Sequence, residues 1–368
     1  MCLSSQVGGV LELLKDPTDS KHPWIQQLFI AAHGSYRTMF LGQFFLMTSF
    51  GIAMASSPTL EQTFALISFH VITVVWSYYV TFWMKYRKGV AKFLSDFVLF
   101  LEPLEESASD EEMKALKKTA ATVKRIRYVM GAYTGLLPIL FIQRPIEDIR
   151  LPSVLRGLSP YHPAKLILQV MQGIFIIQVV ISAVRFTIEV VTVVFWSKTC
   201  LEIVAARFLH YVEPVEARKT AKLHSNFLSV VQQYFSLIQT GMNWLFIGTL
   251  ALAVVSSVAI VVGVKSFDIL WTVPLALSFC FLFCQLGDRL ERAGSKITAA
   301  VYNCGWVEAN PPVRKTLLCV LSRSQRSLVL RAPLLGPSSF KLYLSILKHW
   351  YRFFQMLLGT VNWKIEMW

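Results

Sequence analysis

The sequence predicts an all-α integral membrane protein of seven transmembrane helices in an inverted topology, with the N-terminus cytoplasmic and the C-terminus extracellular. Three observations predict it. The 368 residues are 54% hydrophobic and only 16% charged, where soluble domains carry roughly 25% charged residues. The apolar residues come in blocks that meet or approach the about 20 residues needed to cross ~30 Å of hydrocarbon. Finally, Lys and Arg crowd alternate connecting segments. With the N-terminus inside, the inner segments hold 25 of them and the outer segments 5, the asymmetry that sets orientation in a membrane. The aromatic content of 13% excludes a disordered chain, and 18 Gly, 15 Pro and 6 Cys exclude collagen-like and disulfide-scaffold classes. The net charge of +14 would suit nucleic acid only on a water-facing surface. These cations sit between apolar blocks, so no nucleic-acid partner is expected.

The spans read in order as Thr38–Ser57, Phe64–Trp83, Tyr128–Gln143, Leu166–Val184, Met242–Val264, Ile269–Gly287 and about Leu342–Trp363. The third is short and holds Pro138, but Arg127 and Arg144 bracket it as interface anchors. The seventh is interrupted by Lys348 and Arg352. No signal peptide is expected, because the first 35 residues lack a short apolar run with a small-residue cleavage site. The chain then divides into a cytoplasmic segment 1–37, spans one to four over 38–197 with a cytosolic loop at 84–127, a cytosolic helical extension 198–241, spans five and six over 242–287, a cytosolic segment 288–338, and span seven with a short extracellular tail over 339–368. The last three inner segments are 44, 44 and 51 residues long, and the outer ones are short. In the first of these, Ser109-Asp110-Glu111-Glu112 has capping-box spacing and Asp110 and Lys114 lie four apart, so a helix starts there. Lys165–Lys198 is free of Gly and Pro apart from Gly173. As one helix it is ~50 Å long and projects about 20 Å beyond the bilayer. Arg185 and Glu189 then form a same-face pair near the inner boundary, read as a helix-surface ion pair at the water interface rather than a polar hinge.

Chemistry signatures are sparse. Cys2, Cys200, Cys304 and Cys319 face a reducing cytosol on this topology and Cys280 and Cys284 lie inside span six, so no disulfide is expected. Cys280 and Cys284, four apart in an apolar helix, read as packing residues rather than a metal site. No Gly-x-Ser-x-Gly, His-Glu-x-x-His, Walker loop or Gly-x-Gly-x-x-Gly occurs. The seven His have no carboxylate at zinc or general-base spacing within a span; His33 and His162 are the ones placed near an interface. Neither an enzyme, a metal nor a cofactor is expected. Asp288-Arg289-Leu290 superficially resembles the Asp-Arg-Tyr of G-protein-coupled receptors, but it follows span six rather than three, and no Asn-Pro-x-x-Tyr ends span seven. Pro138 and Pro274 could mark the broken spans of a transporter, yet seven spans do not divide into equal repeats. A G-protein-coupled receptor or transporter remains the alternative class.

Beyond span six the sequence resembles the insect odorant receptor family. The resemblance covers residues 285–358. It rests on Gly287, then Tyr302 and Trp306 in Tyr-Asn-Cys-Gly-Trp, Arg314-Lys315, Leu321-Ser322-Arg323-Ser324-Gln325, Leu330-Arg331-Ala332, Ser339-Phe340, Ile346-Leu347-Lys348 and Tyr351-Arg352-Phe353-Phe354, in that order. Length, inverted topology and long inner segments fit as well. The chain departs from the family where Arg326-Ser327 replaces a Pro after Gln325, and where Arg352 replaces Ser in Tyr-Ser-Tyr-Phe. The resemblance implies a ligand-tuning subunit rather than the co-receptor, whose inner segment between spans four and five is much longer. It also implies a ligand-gated non-selective cation channel, a hetero-tetramer with that co-receptor in the plasma membrane of sensory dendrites. The cytosolic ends of spans four to seven would form a central anchor, and span seven would line the pore. The narrow region would fall at Gln355, Met356 and Gly359, with Met356 as a hydrophobic gate that blocks ions by dewetting. Arg352 fits such a pore only if it turns from the axis or is diluted by co-receptor subunits.

The same resemblance places a pocket for a small volatile odorant in the outer half of spans two, three, four and six. Enclosing ~250 Å² of apolar surface at about 25 cal/mol per Å² gives roughly 6 kcal/mol before association costs, which suits micromolar recognition. The expected lining is His70, Val74 and Tyr78; Met130, Tyr133, Thr134 and Leu137; Gln169, Gln172 and Ile176; and Trp271 and Leu275. The aromatics would shape the cavity, and His70, Thr134 or a Gln could bond a ligand oxygen.

Overall fold

A computed structural model describes residues 44–45, 47–49, 51–52, 55, 60–143, 162–209, 214–263, 267–326 and 328–366. Residues 44–45, 47–49 and 51–52 are helical within the first predicted span. The elements that follow are α1 (Leu60–Glu106), α2 (Asp110–Gln143), α3 (Pro163–Leu209), α4 (Pro214–Val261), α5 (Phe267–Asn303), α6 (Pro311–Ser324), an antiparallel hairpin of β1 (Arg331–Ala332) and β2 (Gly336–Pro337), and α7 (Phe340–Glu366). The protein is all-helical apart from that hairpin among the described residues.

Each predicted span from two to six is the apolar part of a longer helix. The reason is visible in the residues that follow. Past Lys198, where the reading of α3 stopped, Cys200, Leu201, Ile203, Val204 and Phe208 are all buried, so the apolar face continues and the helix with it. At 47 residues, α3 is ~70 Å long. Residues 84–127, expected as a loop containing one helix start, are helical except at 107–109. Pro138 and Pro274 break neither α2 nor α5.

The predicted helix start at Ser109 is present with both capping-box bonds. The Ser109 amide donates to Glu112 Oε2 at 2.9 Å and the Glu112 amide donates to Ser109 Oγ at 3.3 Å. Glu112 also accepts from Arg207, Nε to Oε1 at 2.7 Å, and the same guanidinium donates to the Ser107 carbonyl at 3.2 Å. The α1–α2 turn is thereby tied to the end of α3. Burial pushes the Glu112 carboxyl up, but the bonds from Arg207 and from the Ser109 amide outweigh it and leave the group below its ordinary value.

Inside the bundle α1 packs on α4, α2 on α3, α3 on α5, and α4 on α5. Its centre is aromatic: Phe93 stacks on Tyr234 at 4.4 Å and on Phe97 at 5.4 Å, and Trp196 and Phe208 are fully enclosed. Gly248 of α4 lets α1 approach closely, since a Cβ there would run into the Val75 side chain. The expected surface placement of Glu189 is overturned. It is 2% exposed and accepts a hydrogen bond from Tyr234 Oη at 3.1 Å, because α4 covers that side of α3. The Arg185 side chain lies outside the described set.

Candidate functional site

The last helix and the seat that holds its start form the best-defined site. The seat begins at Gly287 in α5. A Cβ on Gly287 would collide with the Ser338 carbonyl, so only glycine lets the chain entering α7 lie directly on α5. The Ser338 amide donates to the Leu330 carbonyl at 2.8 Å, and Ala332 of β1 is fully buried. The hairpin turns at residues 333–335 and enters β2 at Gly336 with φ 92°, a conformation that favours glycine, and the Leu334 amide donates to Asn243 Oδ1 of α4 at 2.9 Å. Where α7 begins, the Phe340 amide donates to Asp288 Oδ1 at 3.1 Å and the Leu342 amide to Ser339 Oγ at 3.3 Å. A carboxylate and a hydroxyl thus serve the open amides and the positive end of the helix. Phe281 of α5 holds Phe340 and Tyr343 edge-on at 6.3 and 5.1 Å.

The two faces of α7 differ. Ile346 is buried, and Trp350 donates from Nε1 to Ser257 Oγ of α4 at 2.9 Å while stacking on Phe354 at 5.6 Å. The opposite side is exposed among the described residues. Lys341, Lys348, Tyr351, Arg352, Gln355, Met356 and Gly359 are exposed, and Gln355 Nε2 donates to Tyr351 Oη at 2.8 Å. All three residues expected at the narrow region therefore lie off the packed face. Gln355 and Gly359 share one stripe, and Met356 stands about 100° around the helix from Gln355.

For the expected ligand pocket, His70, Val74 and Met130 are half-buried, and Leu275 is 51% exposed. Tyr78, Tyr133, Thr134, Leu137, Gln169, Gln172, Ile176 and Trp271 sit on α1, α2, α3 and α5 as expected by position, but their side chains lie outside the described set. His33 lies outside the described residues, and His162 is exposed.

Sequence reading did not find Asp288 as a cap of α7, Asn243 as the hairpin's acceptor, or Ser257 as the Trp350 acceptor. Each bond joins residues 52, 91 or 93 positions apart, and spacing along the chain holds no trace of such pairs. The ordered tract from Gly287 to Phe340 was the one available signal. The geometry gives it a meaning, since Gly287, Leu330, Ala332 and Ser339 are the parts of one seat.

Comparison with known proteins agrees with this geometry. The model of the family described as 7tm odorant receptor matches residues 58–351. Odorant receptors 2a and 67c of Drosophila melanogaster are each 30% identical to this chain, over 78 and 82 residues. The matched stretches are 21% and 22% of this chain, and the chain spans about 20% of the length of each of these curated relatives. The solved structure of olfactory receptor OR5 from Machilis hrabei in complex with eugenol shares the fold, with a TM-score of 0.78 over 97% of this chain and 98% of OR5 at 13% identity. A second structure of OR5 from Machilis hrabei gives a TM-score of 0.77. Matched by the family model over most of its length, and sharing this helical architecture from end to end, the chain belongs to the insect odorant receptor family of membrane receptors and is not an enzyme.

Proposed function

We propose that this chain is the ligand-tuning subunit of an odorant-gated, non-selective cation channel, with seven spans, a cytoplasmic N-terminus and α7 lining the pore in a hetero-tetramer with a co-receptor in the plasma membrane. Span one to span four would form the ligand side, and the extended inner helices with the 288–338 segment would form the anchor. The observation that carries this reading is the exposed side of α7. A helix whose far side bears Lys348, Arg352 and Gln355 is poorly suited to lipid, where a central Lys or Arg costs about 2.5–3.5 kcal/mol even on the mildest scales. It is well suited to an aqueous lumen shared with other subunits.

The test is current recorded from cells expressing this chain alone and with a co-receptor, against a panel of volatile esters, alcohols, aldehydes and phenols including eugenol. Ligand-gated cation current that needs both subunits is expected. Substrate flux without current would favour a transporter, and an N-terminal tag accessible from outside would favour a G-protein-coupled receptor. His70→Ala and Tyr133→Ala are expected to shift potency with basal current intact; unchanged dose–response curves for both would remove the pocket assignment.

A further inference from the structure

On the exposed side of α7, Lys341, Lys348, Arg352, Gln355 and Gly359 follow one another at intervals of seven, four, three and four residues. Those intervals keep a single stripe on a helix of 3.6 residues per turn. Three of the five are cationic, and no carboxylate occurs in α7 before Glu366. Among the described residues none of the three cations has an acidic partner within ion-pair reach. The side of α7 that packs on this chain points the other way, through Ile346 and the Trp350–Ser257 bond, so no described carboxylate neutralises the stripe.

Depth along the helix ranks the three. Phe340 is fixed to Asp288, just beyond span six. At 1.5 Å per residue Lys341 stands at the mouth, Lys348 about 12 Å in, and Arg352 about 18 Å in, one turn before Gln355. A guanidinium cannot shed its proton at any working pH, so Arg352 is a fixed charge at the position of the three farthest along the helix from Asp288.

From this we infer that Arg352 is the ion-selectivity determinant of the channel: each copy of this chain sets one permanent positive charge on the permeation path and holds back divalent cations more than monovalent ones. The inference rests on the proposed pore-lining role of α7. A charge of +1 repels a divalent ion twice as strongly as a monovalent ion. For a separation of about 10 Å and the dielectric of water, the discrimination is about twofold per copy. Two copies give about fourfold. Four copies would set a ring of four guanidinium groups on the axis, with four Lys348 ammonium groups below it. Subunits carrying no cation on this stripe must therefore complete a conducting channel, and the calcium share of the current reports how many copies of this chain are present.

The experiment is the reversal potential of spontaneous openings in excised patches from cells expressing this chain with a co-receptor, with external Na+ exchanged for Ca2+; no odorant is needed. R352Q is expected to raise the permeability of Ca2+ relative to Na+ by about two- to fourfold. R352E should raise it further, R352K should leave it unchanged, and K348Q should shift it the same way by less. Surface expression of every variant is measured in parallel, and K348Q decides the matter if R352Q fails to reach the membrane. Normal currents with an unaltered permeability ratio in R352Q and R352E, or in K348Q if R352Q is lost, would overturn the inference and leave the channel reading standing. Absence of any current in the parent channel would instead overturn the channel reading and this inference with it.

Discussion

The packed core of the bundle and the last helix meet the cost of burial in different ways. Along α1, α3 and α4 below the predicted spans, apolar residues face inward from several sides at once. Phe97, Trp196, Phe227 and Tyr234 all have less than 2% of their surface exposed, and the one carboxylate among them, Glu189, has its tyrosine. That region is complete within one chain. Helix α7 is satisfied on one side only, and its bare side carries charge at a depth where lipid would penalise it. The contrast teaches that the bundle specifies the fold of the chain, while α7, on the channel reading proposed above, would specify what the chain assembles with.

Substitutions can break or sharpen that contrast. The largest effect is expected in the bundle: Trp196→Ala should cost about 3–5 kcal/mol and abolish the folded peak in detergent size-exclusion chromatography. At the junction of the two regions, Gly287→Ala forces a methyl group into the Ser338 carbonyl. It should cost about 1–3 kcal/mol, with a matching fall in melting temperature and surface expression. If it were silent, the seat would not fix α7. Tyr234→Phe strips the bond from buried Glu189 and should cost about 1–3 kcal/mol, read from the same melting curves.

A pH titration probes the bundle more gently. Burial, then Arg323 nearby, lower the His224 pKa to about 4 from an ordinary value near 6.5. The unfolded chain binds the proton first, so stability is full above pH 6.5 and falls as pH drops from there toward 4. His224→Asn should flatten that slope in a detergent melting series. The smallest change in stability belongs to the bare side of α7. Met356→Ala should stay within about 0.5 kcal/mol while raising leak current, since its side chain is 58% exposed. A large loss of subunit stability would mean that Met356 is buried against its own chain after all.

Much of the architecture was legible because the rules involved are local. The apolar blocks marked where the long helices lie, and Ser109 with Glu112 marked the start of α2 to the residue. The helices run on past the predicted spans because a hydropathy block ends where Lys and Arg begin, whereas a helix ends only where its burial does. At Lys198 the two criteria part, and Cys200 to Phe208 carry α3 onward. Glu189 was misread for a related reason. Its spacing from Arg185 is a property of one helix, but its burial is set by Tyr234, which lies 45 residues away. Of the site, Gly287 and the tract through Phe340 could be recognised as a pattern, yet their shared purpose as a seat for α7 exists only in three dimensions.

The unbroken length of α4 has a mechanical consequence. Its 48 residues make a rod of about 70 Å. Asn243 near its middle grips the hairpin, and Ser257 toward its far end grips Trp350. Swung by about 3°, such a rod carries its tip nearly 4 Å. A lever of this reach can convert a slight shift at one surface of the receptor into a sizeable displacement at the other without unwinding a single turn.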